Sequence, residues 1–193
     1  MRNEGGVFTL SRDELQCMLQ WAGKDGARKA LYGLHFDPAR GAVEASDGHA
    51  ACVANSMARS QDRDFIVPRD ALELAGKLAT KARQAIRVAL DGDTASVDIV
   101  DEPTGKRMAT VYGDVPPDSF PPLGQCVPAR EAVGGSGFTV DPRFYARLGA
   151  MAKAGAGTVR CLGQTPGDDL GPTLWEAAGD GTTYTIVIMP KRA

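Results

Sequence analysis

Asp47 and His49 carry the most suggestive chemistry in the chain, within Ala45-Ser46-Asp47-Gly48-His49. A carboxylate two residues from an imidazole could orient it for proton transfer. Hydrolysis also needs a nucleophile or a second base, and none stands at a recognisable spacing. The chain has only two histidines, and the other, His35, alternates in a strand and is expected to be structural or exposed. A small hydrolase built on His49 and Asp47 is therefore the weakest of three functional classes considered. The same five residues read more simply as a tight turn. Gly48 permits the backbone conformation, Asp47 can hydrogen-bond its own turn, and His49 at the lip can donate or accept.

Other motifs of chemistry are missing. Cys17, Cys52, Cys126 and Cys161 form no C-x-x-C pair, so reduced thiols are expected in place of disulfides or zinc. Gly134-Gly135-Ser136-Gly137 and Gly155-Ala156-Gly157 lack the Lys-Ser/Thr of a phosphate loop and read as a linker and a helix stop. No catalytic residue, metal or cofactor is assigned. Hydrophobic residues make up 43% and charged residues 24% of 193, a soluble globular composition. No run approaches the roughly 18 apolar residues of a membrane span. Met1-Arg2-Asn3-Glu4-Gly5-Gly6 has no signal-peptide core, so a cytoplasmic location is expected. At a net charge of −2, any nucleic-acid contact must come from a local basic face.

The elements that must position the turn recur three times. In residues 7–57 a strand, Val7–Leu10, leads into a helix opened by a Ser11/Glu14 capping box, with Leu15, Met18, Leu19 and Ala22 on one face. Strands Ala30–Phe36, Ala42–Ala45 and His49–Asn55 follow. Residues 64–113 repeat the order: strand Asp64–Val67, a helix from Pro68-Arg69-Asp70, then Ala85–Leu90, Ala95–Val100 and Arg107–Tyr112. Asp91-Gly92-Asp93 is a hairpin signal. Residues 137–190 do so again. Gly137–Val140 is followed by an Asp141 cap with Pro142 at the first helical position. Phe144, Leu148 and Met151 form the buried stripe, and strands Thr158–Leu162, Thr173–Ala177 and Thr183–Met189 follow. The chain thus reads as three βαβββ units of about 50 residues. The expected class is α+β, with mostly antiparallel sheets and one helix per unit.

Phe8-Thr9-Leu10, Ser46-Asp47-Gly48-His49, Phe65-Ile66-Val67-Pro68-Arg69, Pro117-Asp118 and the tail Tyr184…Met189-Pro190-Lys191-Arg192 resemble landmarks of the bacterial DNA sliding clamp, the beta subunit of polymerase III. The first four match that family's middle domain and the tail matches its C-terminus. The resemblance implies a DNA-clamp-like fold. Residues 1–128 would be a complete domain of two units, 129–136 a linker, and 137–193 half of a last domain. Clamp subunits have six units and this chain has three, so it looks like a truncated or phage-type relative. The unpaired third unit would expose a sheet edge and an apolar helix face. It is expected to pair with the third unit of another copy, giving a homo-oligomer, dimer or tetramer.

The resemblance also implies a non-enzymatic role in DNA replication, as a processivity factor. It would hold duplex DNA non-specifically by its backbone and dock short peptides of DNA polymerase or repair proteins. The family's peptide pocket maps onto Leu31, Ser46, Gly48, His49, Pro117, Val187 and Met189. Ala50-Ala51 replaces the family's Arg-Leu, so the pocket should be shallower and less basic. Val187 and Met189 could instead be ordinary core. The DNA-facing helices would present Arg69, Lys77, Lys81 and Arg83, then Arg143, Arg147 and Lys153. Lys77/Lys81 and Arg143/Arg147 at i,i+4 each share a face, suited to phosphates or simply to solvent. The runner-up is a clamp-derived peptide-binding module that never encircles DNA and competes for clamp partners.

Overall fold

The computed structural model describes residues 7–55, 63–134, 140–164, 171–179 and 182–189. In chain order, β1 (Phe8–Ser11), α1 (Arg12–Leu19), β2 (Gly33–Asp37), β3 (Ala42–Ser46) and β4 (Ala50–Asn55) form the first unit. β5 (Phe65–Pro68), α2 (Arg69–Leu78), β6 (Gln84–Asp91), β7 (Thr94–Asp101) and β8 (Lys106–Asp114) form the second. α3 (Pro142–Ala150), β9 (Thr158–Gln164), β10 (Thr173–Gly179) and β11 (Thr182–Ile188) belong to the third. The expected opening strand of that unit, Gly137–Val140, lies outside the described residues apart from Val140, as does the tail after Met189.

Local chemistry accounts for the helix ends. The Ser11 hydroxyl accepts from the Glu14 amide at 3.1 Å, and the Glu14 carboxylate accepts from the Ser11 amide at 2.7 Å. Two of α1's orphan donor groups are thereby satisfied. Asp141 accepts from the Arg143 amide at 3.0 Å, with Pro142 beginning α3. A left-handed Gly155, φ 81°, closes the turn that continues α3. One expected strand is corrected. Lys29–Leu31 forms a 3-10 turn, and the strand begins only at Gly33. The Tyr32 amide donates back to Arg28 at 3.0 Å, and the Tyr32 hydroxyl donates to Asp70 at 2.6 Å. These local bonds compete with strand pairing.

Among the described residues there are two antiparallel sheets, ordered β1-β6-β7-β8 and β5-β2-β3-β4-β11-β10-β9. The first two units exchange their opening strands. β1 pairs with β6 of the second unit (Phe8↔Val88), and β5 pairs with β2 of the first (Gly33↔Pro68). Phe36 joins them at the centre, 5.1 Å from Phe8 edge-on and 5.3 Å from Phe65 stacked. Neither unit can bury its own core without the other's first strand.

The third unit joins the first. β11 pairs with β4 from Thr183↔Asn55 to Ile188↔Ala50, so one sheet crosses from unit one into unit three. The expectation that α3 exposes an apolar face is corrected. Phe144, Leu148 and Met151 are buried, and the Cys17 thiol lies 3.2 Å from the Met151 sulfur. The first unit's helix region covers that face. The outer edge of β9 remains, touched only at its end by the isolated bridge Gly134↔Gln164 among the described residues.

Residues 115–134 are more than a tether. They hold 3-10 turns at Leu123–Gln125 and Arg130–Ala132, and Arg130 pairs with Glu176 of β10 at 3.1 Å. Phe120 stacks on His35 with ring centroids 4.6 Å apart. His35 is buried between Glu44 (2.8 Å) and Asp64 (2.9 Å), so it is structural.

Candidate functional site

The turn between β3 and β4 is held by its own side chains. The Ser46 hydroxyl donates to the Ala50 carbonyl at 3.0 Å and accepts from the Gly48 amide at 3.1 Å. Asp47 Oδ1 accepts from the amides of His49 and Ala50, each at 2.9 Å. Asp47 Oδ2 faces the Arg147 guanidinium at 2.7 Å. Burial alone would raise the Asp47 carboxyl's pKa. The His49 amide, Arg147 and the Ala50 amide outweigh burial and hold it below the ordinary value. With both oxygens engaged, Asp47 has none left to orient the His49 imidazole. Hydrolytic chemistry at this pair therefore lacks its second group.

The turn gathers part of the expected pocket. Gly48 has φ +86°, and a Cβ there would lie 3.3 Å from the Arg28 guanidinium and 3.8 Å from Leu31 Cδ1. Leu31 is therefore packed beside the turn. The Met189 amide donates to the His49 carbonyl at 2.9 Å, which pins the end of β11 to the same loop. Met189 is 41% exposed and His49 is exposed, whereas Ser46 is buried inside the turn. Val187 is buried, with Ala51 and Leu174 as register neighbours. Pro117 is exposed in the connector. Leu31, Gly48, His49 and Met189 thus share one surface. Arg28, which the sequence offers with Arg12 and Lys24 as a first-helix cation toward DNA, instead joins them beside the turn.

The seven expected DNA-facing cations divide sharply. Arg69 is mostly buried: Nε donates to Glu73 at 2.7 Å and a terminal nitrogen to the Leu19 carbonyl at 2.9 Å. It caps the C-terminal end of α1, where cations are favoured. Arg147 pairs with Asp47, its guanidinium carbon 5.0 Å from the Phe144 ring centroid and 5.7 Å from that of Trp21. Both arginines are committed inside the fold, so neither is free for phosphate. Arg143 lies at the surface beside Asp141 at 2.7 Å, and Arg83 pairs with Asp101 at 2.8 Å while staying 60% exposed. Lys77, Lys81 and Lys153 are exposed and make no ion pair among the described residues. Lys77 borders a groove of about 230 Å³ between α1 and α2, together with Arg12, Gln16 and Glu73. Among the described residues no group of three His, Cys, Asp or Glu could hold a metal, and no helix is long and apolar enough to cross a membrane.

No family model and no curated protein sequence matches the chain. Solved structures do. DNA polymerase III subunit beta from Pseudomonas aeruginosa aligns with TM-score 0.66 at 17% identity, over 100% of this chain and 68% of that one. A sliding clamp from Bartonella birtlesii, bound to griselimycin, aligns with TM-score 0.67 at 14% identity, over 100% and 68%. The polymerase III beta chain of Streptococcus pneumoniae gives 0.66 at 11% identity, over 100% and 66%. The chain has the α+β fold of the bacterial sliding clamps and spans about two thirds of their length.

Proposed function

We propose that this chain, built on the sliding-clamp fold, is a non-enzymatic clamp-like processivity factor that holds duplex DNA by its backbone and docks partner peptides. The observation that carries it is the clamp fold along the whole chain, with α1, α2 and the turn after α3 packed in one layer. Lys77, Lys81 and Lys153 supply the phosphate contacts, with Arg83 and Arg143 beside them. The surface at Leu31, Gly48, His49 and Met189 takes the peptide's apolar anchor, and Pro117 and Val187 contribute at its margin.

The third unit completes itself with another copy. Each of the first two units lends its opening strand to the other's first sheet strand. β9 is the corresponding strand of unit three. Its outer edge is the place for the third unit of a second chain, and the resulting dimer holds three domains. Residues 1–128 are one such domain and 137–193 the half that is shared.

Retention on nicked circular plasmid, lost on linearisation and weakened by salt, is the expected result. Equal retention on both forms would point to the alternative, a docking module that competes for clamp partners without encircling DNA. That alternative is favoured by one observation: Arg69 and Arg147 are withdrawn into the fold, which thins the cationic face. Binding of a labelled peptide with an apolar anchor, abolished by Met189→Lys, tests the pocket under either.

A further inference from the structure

The seven-stranded sheet has a second face, turned away from the helices. Side chains alternate along a strand. Ala50 and Cys52 of β4, Ile186 and Ile188 of β11 and Trp175 of β10 belong to the main core. Ala51, Val187 and Leu174 therefore point to the other side. They form one row across β4, β11 and β10, and all three are buried. The buried apolar side chains of α1, α2 and α3 lie in the main core, so the helices do not supply that cover. The connector is anchored over this face at two points. Phe120 stacks on His35 of β2, and Arg130 pairs with Glu176 of β10. His35 and Glu176 end one row, His35–Glu44–Val53–Thr185–Glu176, two residues along the strands from the first. The row spans roughly 19 Å at the usual strand spacing, which the chain from Phe120 to Arg130 is long enough to cross. Between the anchors Leu123 is 5% exposed yet stands outside the main core. It is the one buried residue of 115–134. Its carbonyl accepts from the Cys126 amide at 2.8 Å and the Val127 amide at 3.1 Å, which fixes the turn that carries it.

We infer that the connector is a displaceable strap over this face, with Leu123 held over Ala51, Val187 and Leu174 as an internal competitor for a partner peptide's apolar anchor. The inference names the regulation of the docking surface proposed above and rests on that reading for its ligand. Met189 follows Val187 by two residues and is exposed. The surface thus has an open lip at Met189, His49 and Leu31 and a floor closed by the chain itself. A tethered occupant acts at an effective concentration in the millimolar range. An incoming peptide then binds with an affinity reduced by the fraction of molecules whose strap is open. The anchors are suited to parting. Arg130 is 60% exposed, and such a surface ion pair adds little in water. Phe120 is half-buried, and a single leucine holds the middle. The role of Leu123 has a sign. Removing a wall residue that grips the peptide weakens binding, whereas removing an occupant strengthens it.

Val187→Cys reads the cover without any peptide, in a background with Cys126→Ser and Cys161→Ser that leaves only the buried Cys17 and Cys52. Its reaction with DTNB should be about tenfold faster when Phe120→Ala/Arg130→Ala removes both anchors. Cys17 and Cys52 should stay unreactive, which separates strap opening from unfolding. The ligand probe is a fluorescein-labelled peptide copying residues 117–128 with Cys126→Ser, followed by anisotropy. It should bind the Leu123→Ser chain about fivefold more tightly than wild type. A Val187→Cys thiol that reacts no faster in the anchor variant overturns the strap. So does peptide binding that Leu123→Ser leaves unchanged or weakens, which would make Leu123 part of the docking wall. A thiol freed by the anchor substitutions, with no peptide bound by any form, upholds the strap and refutes the docking surface instead.

Discussion

Arg147 of α3 lies 2.7 Å from Asp47 of the β3–β4 turn, joining residues a hundred positions apart. The guanidinium also sits over Trp21 and Phe144. It thus ties the third unit to the loop that carries His49 and, through the His49 carbonyl, Met189. The pair is partly buried, with Arg147 24% and Asp47 16% exposed.

Arg147→Ala should cost about 2 kcal/mol, the worth of a charge-assisted contact plus lost packing, read as a lower urea midpoint with unchanged m-value. Asp47→Asn in the same background should cost little more, because the two act as a unit. The Asp47 carboxyl is held below its ordinary value, so its contribution is present above that value and lost as pH falls through the lowered one. Arg147→Ala should therefore flatten the acid side of the wild-type stability profile. Additive costs from the two substitutions would show that the contact is not coupled.

Gly33 locates the strand exchange. A Cβ there would lie 2.1 Å from the Val67 carbonyl oxygen, which is backbone and cannot swing aside. Gly33→Ala must part β2 from β5 and should cost about 2–4 kcal/mol, in the range of severe core substitutions. Gly92→Ala, in open space in the β6–β7 hairpin, should cost less despite its own positive φ. Thermal unfolding separates the two; equal losses would mean that the exchange is not tightly packed.

Much of this fold was legible locally. The Ser11/Glu14 box, the Asp91-Gly92-Asp93 hairpin, the Asp141-Pro142 entry and the Gly155 stop all act within a few residues. The exchange of β1 and β5 was not, because pairing across some 75 residues for β1 and some 30 for β5 leaves no mark in local periodicity. The cations show the same boundary. The i,i+4 spacing of Arg143 and Arg147 says that they share a helix face, not what that face meets. One turn along α3 the surroundings change from solvent and Asp141 to Trp21 and Asp47. Leu31, Gly48, His49 and Met189 could be named together only through the family resemblance, since they come from three separate elements.

His35 makes stability depend on pH on the alkaline side. Burial would lower its pKa, but hydrogen bonds to Glu44 and Asp64 outweigh burial and raise it above 6.5. Its contribution is full below the unfolded value and is lost as pH rises through the raised folded value. The melting temperature should therefore fall from about pH 6.5 upward through that value. His35→Gln should be less stable at pH 6 and lack this slope. Phe120→Ala, which removes the stacked ring, should lower stability while keeping it. A wild-type profile that is flat across this window would show that the imidazole is neutral in the fold.

Arg69 and the pair Lys77/Lys81 lie within one helix and its following turn, yet they should fail in opposite ways. Arg69 caps α1 and bonds Glu73, so Arg69→Ala should destabilise by about 1–3 kcal/mol. It should leave the salt dependence of DNA binding unchanged, because a buried guanidinium displaces no counterion. Lys77 and Lys81 are exposed, so Lys77→Ala/Lys81→Ala should keep the melting temperature within about 2 °C. Each lost phosphate contact removes about 0.9 from the slope of log K against log salt. The double substitution should therefore reduce that slope by up to about 2, read by fluorescence anisotropy on a duplex at several salt concentrations. An unchanged slope in the lysine variant would take α2 out of any DNA interface. A reduced slope in a folded Arg69→Ala variant would place that arginine at the phosphates after all.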